Sequence, residues 1–508
     1  MPGRERAGTP GGHALGLTVE TNGGHTTERR LPLLAVQACL LLASAIVLVL
    51  TTDRPPSDGL LRLLGQTAGL QLVAQTAILR RRFGSVIAPP VIFAILLSLF
   101  TSGWLLLRAL NIEVDEYDIL SREDTGSLIL GTRFYLLAFP MFCSGAVLAG
   151  ARIGGGPRAE REATRLTSGL IQAGHLCIAV GLLPYVLLNA NNVAVVFSRG
   201  YSAYYEDGSR LDGPLVLLGY YFVVGLVFLA VAASPRRARR AVRILVAVGL
   251  IRLIAGDRGE GTIYLLAALM ISQYRGFRSP SNRRDLVRAV ATAALLSLVI
   301  PAIGALRHGY GGGEPFRVRE SLLAANPIAV TLNTIGTTMY PLVKVIEATG
   351  SDQPLLHGGS YVSGIGRLLP EWILPGWLNE PLYASPGVWL QDRMGLSYGP
   401  GFTPFAEAYL NFGYIGGAVS LLGLGLLSTR ALTITRNASP ARGAFAFGVF
   451  VLTGFAVRGS FNYVIPQVVR YVCLPLVAAM MLGARYGARL RQPSTISPRA
   501  IGEGPETG

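Results

Sequence analysis

The sequence predicts an all-α polytopic membrane protein, with about twelve transmembrane helices and one large extracytoplasmic loop carrying short helices. Three observations predict it. The 508 residues are 51% hydrophobic and only 15% charged, with a mean hydropathy of +0.46, and so little charge cannot cover that much apolar surface in water. Apolar runs near the ~20 residues needed to cross a bilayer recur along the whole chain. The gaps between these runs are short except for one polar excursion from Arg307 to Ala408.

Taken in order, residues 1–30 lack an apolar run and read as a disordered cytoplasmic arm. The first apolar segment, Leu31 to Leu50, follows Arg29 and Arg30 and lacks a small-residue cleavage site. It reads as an uncleaved anchor with the N-terminus inside. Alternation then follows the arginines. The loop with Asp53 and Asp58 faces out, Arg80 to Arg82 in, and the acidic loop of Glu113, Asp115, Glu116 and Asp118 out. Arg152, Arg158, Arg161 and Arg165 lie inside, the 190–213 loop outside, and Arg236 to Arg243 and Arg275 to Arg284 inside. Residues 31–306 thus form about nine spans, 307–408 the extracytoplasmic loop and 409–484 about three more spans. The tail, 485–508, is cytoplasmic and disordered, so both termini lie inside.

Within the bundle, 243–274 is short for two spans. Two truncated helices meeting at Gly256-Asp-Arg-Gly-Glu-Gly261 describe either a broken pair buried in the membrane or an ordinary outer hairpin with a charged turn. In the excursion, prolines 370, 375, 381 and 386 rule out one long helix, and short helices are expected, one of them over Ser321 to Thr349.

A net charge of +16 invites a nucleic-acid partner. The charges instead sit in clusters between apolar runs, where they report topology, so no nucleic acid is expected. Lys344 is the lone lysine and every other basic residue is arginine. Cys39, Cys143, Cys177 and Cys473 lie in or beside apolar segments without metal-ligand spacing, and read as buried thiols. No metal site and no cofactor are expected.

Charges in or beside apolar spans are costly, which makes each a functional candidate. Arg252, Asp257, Arg258 and Glu260 gather around the glycine-rich break. Arg458 ends the eleventh span with Asn462 close behind, and Arg470 falls in the twelfth. The excursion adds Arg307, His308, Arg317, Arg319, Arg367 and Arg393, with Glu371, Glu380, Asp392 and Glu407 as acidic partners. Guanidinium groups converging on one vestibule suit a phosphate or diphosphate, since each can fork two bonds onto phosphate oxygens. The bland alternative for Asp257 with Arg258 is an internal ion pair.

Glu407 sits where the excursion re-enters the membrane. It is placed either as a general base or as a favourable charge at a helix start. His308, at the outer mouth, is a second proton acceptor, whereas His357 reads as loop surface and His175 as interior. Trp372, Trp377, Tyr383, Trp389, Tyr398 and Phe402 suit sugar stacking or anchoring in lipid headgroups.

The segment from Gly399 to Gly413, with Glu407-Ala-Tyr-Leu-Asn-Phe-Gly413 entering a glycine-rich span, resembles bacterial O-antigen polymerases of the Wzy type. Gly256-Asp-Arg-Gly-Glu260 ahead of a large late loop resembles the same family. The resemblance implies a metal-independent C-type glycosyltransferase at the outer face of the bacterial inner membrane. It would move a glycan from its polyprenyl diphosphate carrier onto an incoming lipid-linked repeat unit. Flippase and chain-length regulator proteins are the partners it implies. Only Arg258 and Glu407 match the motifs residue by residue. An arginine followed ten residues later by glycine, described in some members, does not start at any outer-loop arginine here.

On this reading Glu407, Arg258 and His308 are the catalytic candidates. Arg252, Asp257, Arg393, Tyr409, Asn411, Arg458 and Arg470 would bind substrate. A ligase with the same donor chemistry is the near alternative, and a lipid-linked oligosaccharide flippase the distant one. The chain shows no repeat between its halves, which counts against a transporter.

Overall fold

The computed structural model describes residues 30–112, 119–149, 158–199, 214–254, 257–277, 287, 326–369, 371–373, 375–396, 401–434 and 438–489. All regular structure among them is helical. The first half comprises α1 (Arg30–Thr52), α2 (Asp58–Phe83), α3 (Pro89–Ala109), α4 (Thr125–Leu148), α5 (Arg158–Arg199), α6 (Pro214–Ala232), α7 (Pro235–Ile254) and α8 (Arg258–Tyr274). The excursion supplies α9 (Pro327–Gly336), α10 (Met339–Ser351), α11 (Gly359–Gly366), α12 (Pro381–Ala384) and α13 (Pro386–Arg393). The chain then returns through α14 (Pro404–Leu432), α15 (Pro440–Thr453), α16 (Phe461–Val468), a π-turn over Val469–Cys473, and α17 (Leu474–Arg489).

Eight helical stretches among the described residues are long and apolar enough to cross a membrane. The chain is therefore an all-α, multi-pass membrane protein. α2, with 26 residues, is not among the eight because its length is broken by Arg62, Gln66, Gln71, Gln75 and Arg80 to Arg82. Its buried amides are hydrogen-bonded across helices instead. Gln75 and Gln37 of α1 exchange bonds of 2.6 and 3.0 Å, and Gln71 donates to Ser44 and to the Leu136 carbonyl of α4. Interhelical hydrogen bonds of this kind hold helices together in lipid, which offers no hydrophobic drive of its own.

Glycine sets the helix spacing. A Cβ on Gly145 of α4 would lie 2.0 Å from the Leu422 carbonyl oxygen of α14, and one on Gly425 would lie 2.0 Å from that of Phe142. Gly169 of α5 meets the Ala479 carbonyl of α17, and Gly181 of α5 meets the Phe222 amide of α6, just as closely. Small residues let backbones approach where dispersion must supply the association energy.

One expectation is sharpened and one changes. Over 243–274 the helices are longer than the apolar runs and pack on each other as in the hairpin reading, residues 255–256 lying outside the described ones. α7 starts early, at Pro235, and carries the arginine cluster on its first turns, and Gly249 of α7 packs on Gly261 of α8. The single helix expected over Ser321 to Thr349 is two, α9 and α10, separated at Thr337 and Thr338; residues 321–325 lie outside the described ones. The Thr338 hydroxyl bonds the Phe100 carbonyl of α3, and Gly336 sits so close to the Trp104 amide that a Cβ would come within 2.1 Å. The start of the excursion is thus packed into the bundle, with Met339, Leu342, Val343 and Val345 of α10 buried.

α14 is kinked at Gly413, whose φ of 67° and ψ of −158° belong to a region open essentially to glycine alone. The kink releases the carbonyls of Leu410 and Asn411. The amides of Leu356 and His357, on the return from α10, take them at 3.0 and 2.8 Å. These two backbone bonds latch the tip, Pro404 to Phe412, to the excursion.

Candidate active site

The ends of α6, α8, α15 and α16 enclose a cavity of about 150 Å³, lined on one wall by Tyr220, Glu260 and Tyr264, and on the other by Gly459, Ser460, Tyr463 and Gln467. α8 begins at Arg258 because Asp257 caps it, accepting from the Glu260 amide at 3.2 Å. One turn of helix then stacks Glu260 and Tyr264 on the same face. Glu260 accepts from the Tyr264 hydroxyl at 2.9 Å and the Tyr220 hydroxyl at 3.3 Å. Arg252, across the hairpin turn, pairs with Glu260 at 3.2 Å and Asp257 at 3.1 Å, and its guanidinium covers the Tyr185 ring. Of this cluster, Glu260 is the carboxylate that lines the cavity.

Three arginines lie next to the opposite wall, although none of them lines the cavity itself. Arg367, just past α11, lies over the Tyr463 ring at 4.7 Å, and Arg470 donates to the Arg367 carbonyl at 2.6 Å. Arg470 sits on the π-turn that follows Pro466. That proline cannot donate to the Asn462 carbonyl and crowds it, which loosens the helix. Arg458 directly precedes the lining residue Gly459 and is exposed. Its side chain runs along Gly401, where an added Cβ would come within 3.1 Å of Cγ and Nε. None of these three arginines has an acidic partner among the described residues.

The structure therefore brings Arg252 and Asp257 together, and separately Arg470 with Arg367. Arg393 is elsewhere. It is bonded to Asp352 and lies over the Trp389 ring, and its hydrogen bond holds the Asp352 carboxyl below the usual aspartate range. His308 and the Arg258 side chain lie outside the described residues.

Glu407 is wholly buried. One carboxylate oxygen accepts the Ser360 hydroxyl of α11 at 2.8 Å and the other accepts the Phe461 amide at the start of α16. Asn411, one turn on, bonds Ser360 Oγ at 2.8 Å and the Glu407 carbonyl at 2.7 Å, and Asn462 donates to the carbonyls of Tyr383 and Ala384. The helix start is capped instead by Thr403, whose hydroxyl accepts from Ala406 N. Tyr409 faces away from this node and packs edge-on against Phe134 of α4, at 5.1 Å.

Tyr220, Tyr264, Tyr463 and Gln467 did not stand out in the sequence. The spacing of Tyr264, four residues after Glu260, was the one available signal, since it puts both on one helix face. No group of three or more His, Cys, Asp or Glu that could hold a metal occurs among the described residues.

Eight apolar helical stretches with charged side chains set at their ends define a multi-pass membrane protein whose intramembrane charges are functional candidates. The family model for O-antigen polysaccharide polymerase Wzy matches residues 77–487, and the chain belongs to that family. It is accordingly a glycosyltransferase-type polymerase of polysaccharide biosynthesis, acting on lipid-linked repeat units as a multi-pass protein of the inner membrane. Comparison with curated proteins and with solved structures returns no match.

Proposed function

We propose that the chain elongates a polysaccharide by moving a glycan from polyprenyl diphosphate onto the sugar hydroxyl of an incoming lipid-linked repeat unit. The reaction would run at the outer face of the membrane without a metal, as in C-type glycosyltransferases. The carrying observation is the cavity between Glu260 and Tyr463, with the Glu260 carboxylate in its lining and, beside Tyr463 and Gly459, three arginines that have no acidic partner among the described residues. The acceptor oxygen attacks the anomeric carbon as its bond to the diphosphate oxygen breaks. The hydroxyl proton passes to a carboxylate, and the electron pair leaves on the diphosphate. Arg367, Arg470 and Arg458 are placed to neutralise that developing charge, which is where fixed cations contribute most.

Two carboxylates compete for the proton. Glu407 is the choice from sequence, and in that role it requires the Phe461 amide to withdraw from it. Glu260 already borders the cavity. We assign proton acceptance to Glu260 and give Glu407 the task of holding α11, α14 and α16 in register. Arg252 and Asp257 fix Glu260, and Arg258 and His308 stand as further candidates toward the diphosphate and the acceptor. With both termini inside, as the arginine distribution predicts, the cavity would open at the outer face.

Membranes holding Glu260→Gln are expected to lose chain elongation by about 10²–10⁴-fold, with the protein present at wild-type level. Chains of unchanged length would return the proton to Glu407. A single transfer, instead of a ladder of products, would favour a ligase.

A further inference from the structure

A second cavity, an open cleft of about 390 Å³, lies on the excursion between α12 and α13 and shares no lining residue with the Glu260 cavity. Glu380, Pro381, Leu382, Trp389, Asp392 and Arg393 line it. We infer that this cleft is a binding subsite for one pyranose ring of the acceptor repeat unit, selecting a neutral or amino sugar and rejecting a uronate. The inference rests on the polymerase reading for the identity of the acceptor, but the chemistry of the cleft carries the preference.

Two prolines build it. Pro381 and Pro386 open two short helices in succession, and Trp389, Asp392 and Arg393 fall on adjacent turns of the second. Trp389 is half-buried, so the ring is held in place while part of it remains accessible. Arg393 is fixed at 5.9 Å over that ring by its bond to Asp352, and its charge is answered there.

Glu380 precedes α12 but makes no side-chain cap bond. Neither its carboxylate nor that of Asp392 has a hydrogen-bond or ionic partner among the described residues. Both groups are exposed, at the mouth of a cavity with an apolar wall.

An aromatic wall with a few convergent polar groups is the usual form of a small-molecule site, and the volume falls in the ~300–1,000 Å³ range of such sites. Each carboxylate can accept two hydroxyl donors, as neighbouring ring hydroxyls supply, and the Trp389 face takes the C–H face of the ring. Charged acceptors make hydrogen bonds worth about 1.5–3 kcal/mol, so losing one costs roughly tenfold or more in affinity. The negative charge of Glu380 and Asp392 exceeds what the engaged Arg393 returns. A diphosphate or a uronate carboxylate is therefore repelled, and an ammonium on an amino sugar is attracted.

The test uses the full-length chain in lipid nanodiscs and saturation-transfer NMR with three probes: a methyl glucopyranoside, a methyl glucosaminide and a methyl glucuronide. The first two are expected to take up saturation and the third not. Asp392→Asn and Trp389→Ala should each weaken binding of the first two about tenfold, while Trp389→Phe, which keeps a ring, retains most of it. Equal signals from all three probes, or unchanged binding in Asp392→Asn with the protein melting as wild type, would overturn the subsite. So would calcium binding at the cleft with no sugar signal. Elongation by membranes whose protein gives no sugar signal removes the subsite and leaves the polymerase reading intact. Sugar binding without elongation does the reverse.

Discussion

Glu407 and Glu260 lie on opposite sides of the short stretch from Gly459 to Tyr463, and the protein treats them in opposite ways. Glu407 receives the Phe461 amide and the Ser360 hydroxyl and is closed off on every side. Glu260 is held by two tyrosine hydroxyls and one guanidinium, yet still borders open space. Both carboxylates have their two oxygens engaged, so the difference is access: one sealed by its own chain specifies structure. One that borders a cavity keeps a face for chemistry. The contrast extends to the arginines, since Arg252 and Arg393 are answered by carboxylates and Arg367, Arg458 and Arg470 have none among the described residues.

The sharpest way to break this comparison is to remove the closed member. Glu407→Ala strands the Ser360 hydroxyl and the Phe461 amide in the interior and is expected to cost on the order of 3 kcal/mol. It should appear as lost folded protein in size-exclusion profiles of detergent extracts. Glu407→Gln, which keeps an acceptor, should fold and elongate. If it folds and is inactive, Glu407 does chemistry and the contrast is wrong.

Next in size are the open cations. Arg470→Ala and Arg367→Ala should each lower kcat/KM for the diphosphate-linked donor by roughly 10²-fold, the scale of one charge-stabilising group. Melting of either variant should stay near wild type. Lysine at these positions should restore part of the rate, since it returns charge without the forked geometry.

Gly413→Ala tests the frame that carries both sides. A side chain at that φ and ψ costs about 1–3 kcal/mol, and the variant should melt lower while its donor affinity, measured on the folded fraction, is unchanged.

The smallest effect belongs to Asp352 with Arg393, an exposed pair. Its carboxyl titrates lower in the folded chain than when unfolded, so its contribution is present above the ordinary aspartate range and fades as pH falls through the folded value. The melting difference between wild type and Asp352→Asn should therefore shrink from about pH 6 to about pH 3. A difference that grows toward acid would reverse the sign assigned to this pair.

Much of this was legible from residue order. Apolar runs gave the helices, and the 256–261 cluster pointed to Arg252, Asp257 and Glu260 because their partners are within eight residues across one turn. The stretch ending at Gly413 stood out before its kink was known. What could not be read depends on distant backbone. The donor that closes Glu407 is an amide 54 residues away, and every residue type except proline has an amide. The break between α9 and α10 at Thr337 and Thr338 did have a local signal, Gly336 just before it and Pro341 just after, since a proline is tolerated in the first turn of a helix but not inside one. The contacts that fix it, Thr338 bonding Phe100 and Gly336 seating on α3, had none. Arg367 looked like any loop arginine until Tyr463 was found beneath it.

That glycine seat has a consequence of its own. Gly103 and Gly336 leave no room for a β-carbon on either side, so the root of the excursion is welded to the third helix, while Asp392, on its later part, is exposed and unpaired among the described residues. A catalyst built this way can change which monosaccharide it accepts by drift at the rim, generation after generation, without disturbing the machinery that cleaves the carrier bond.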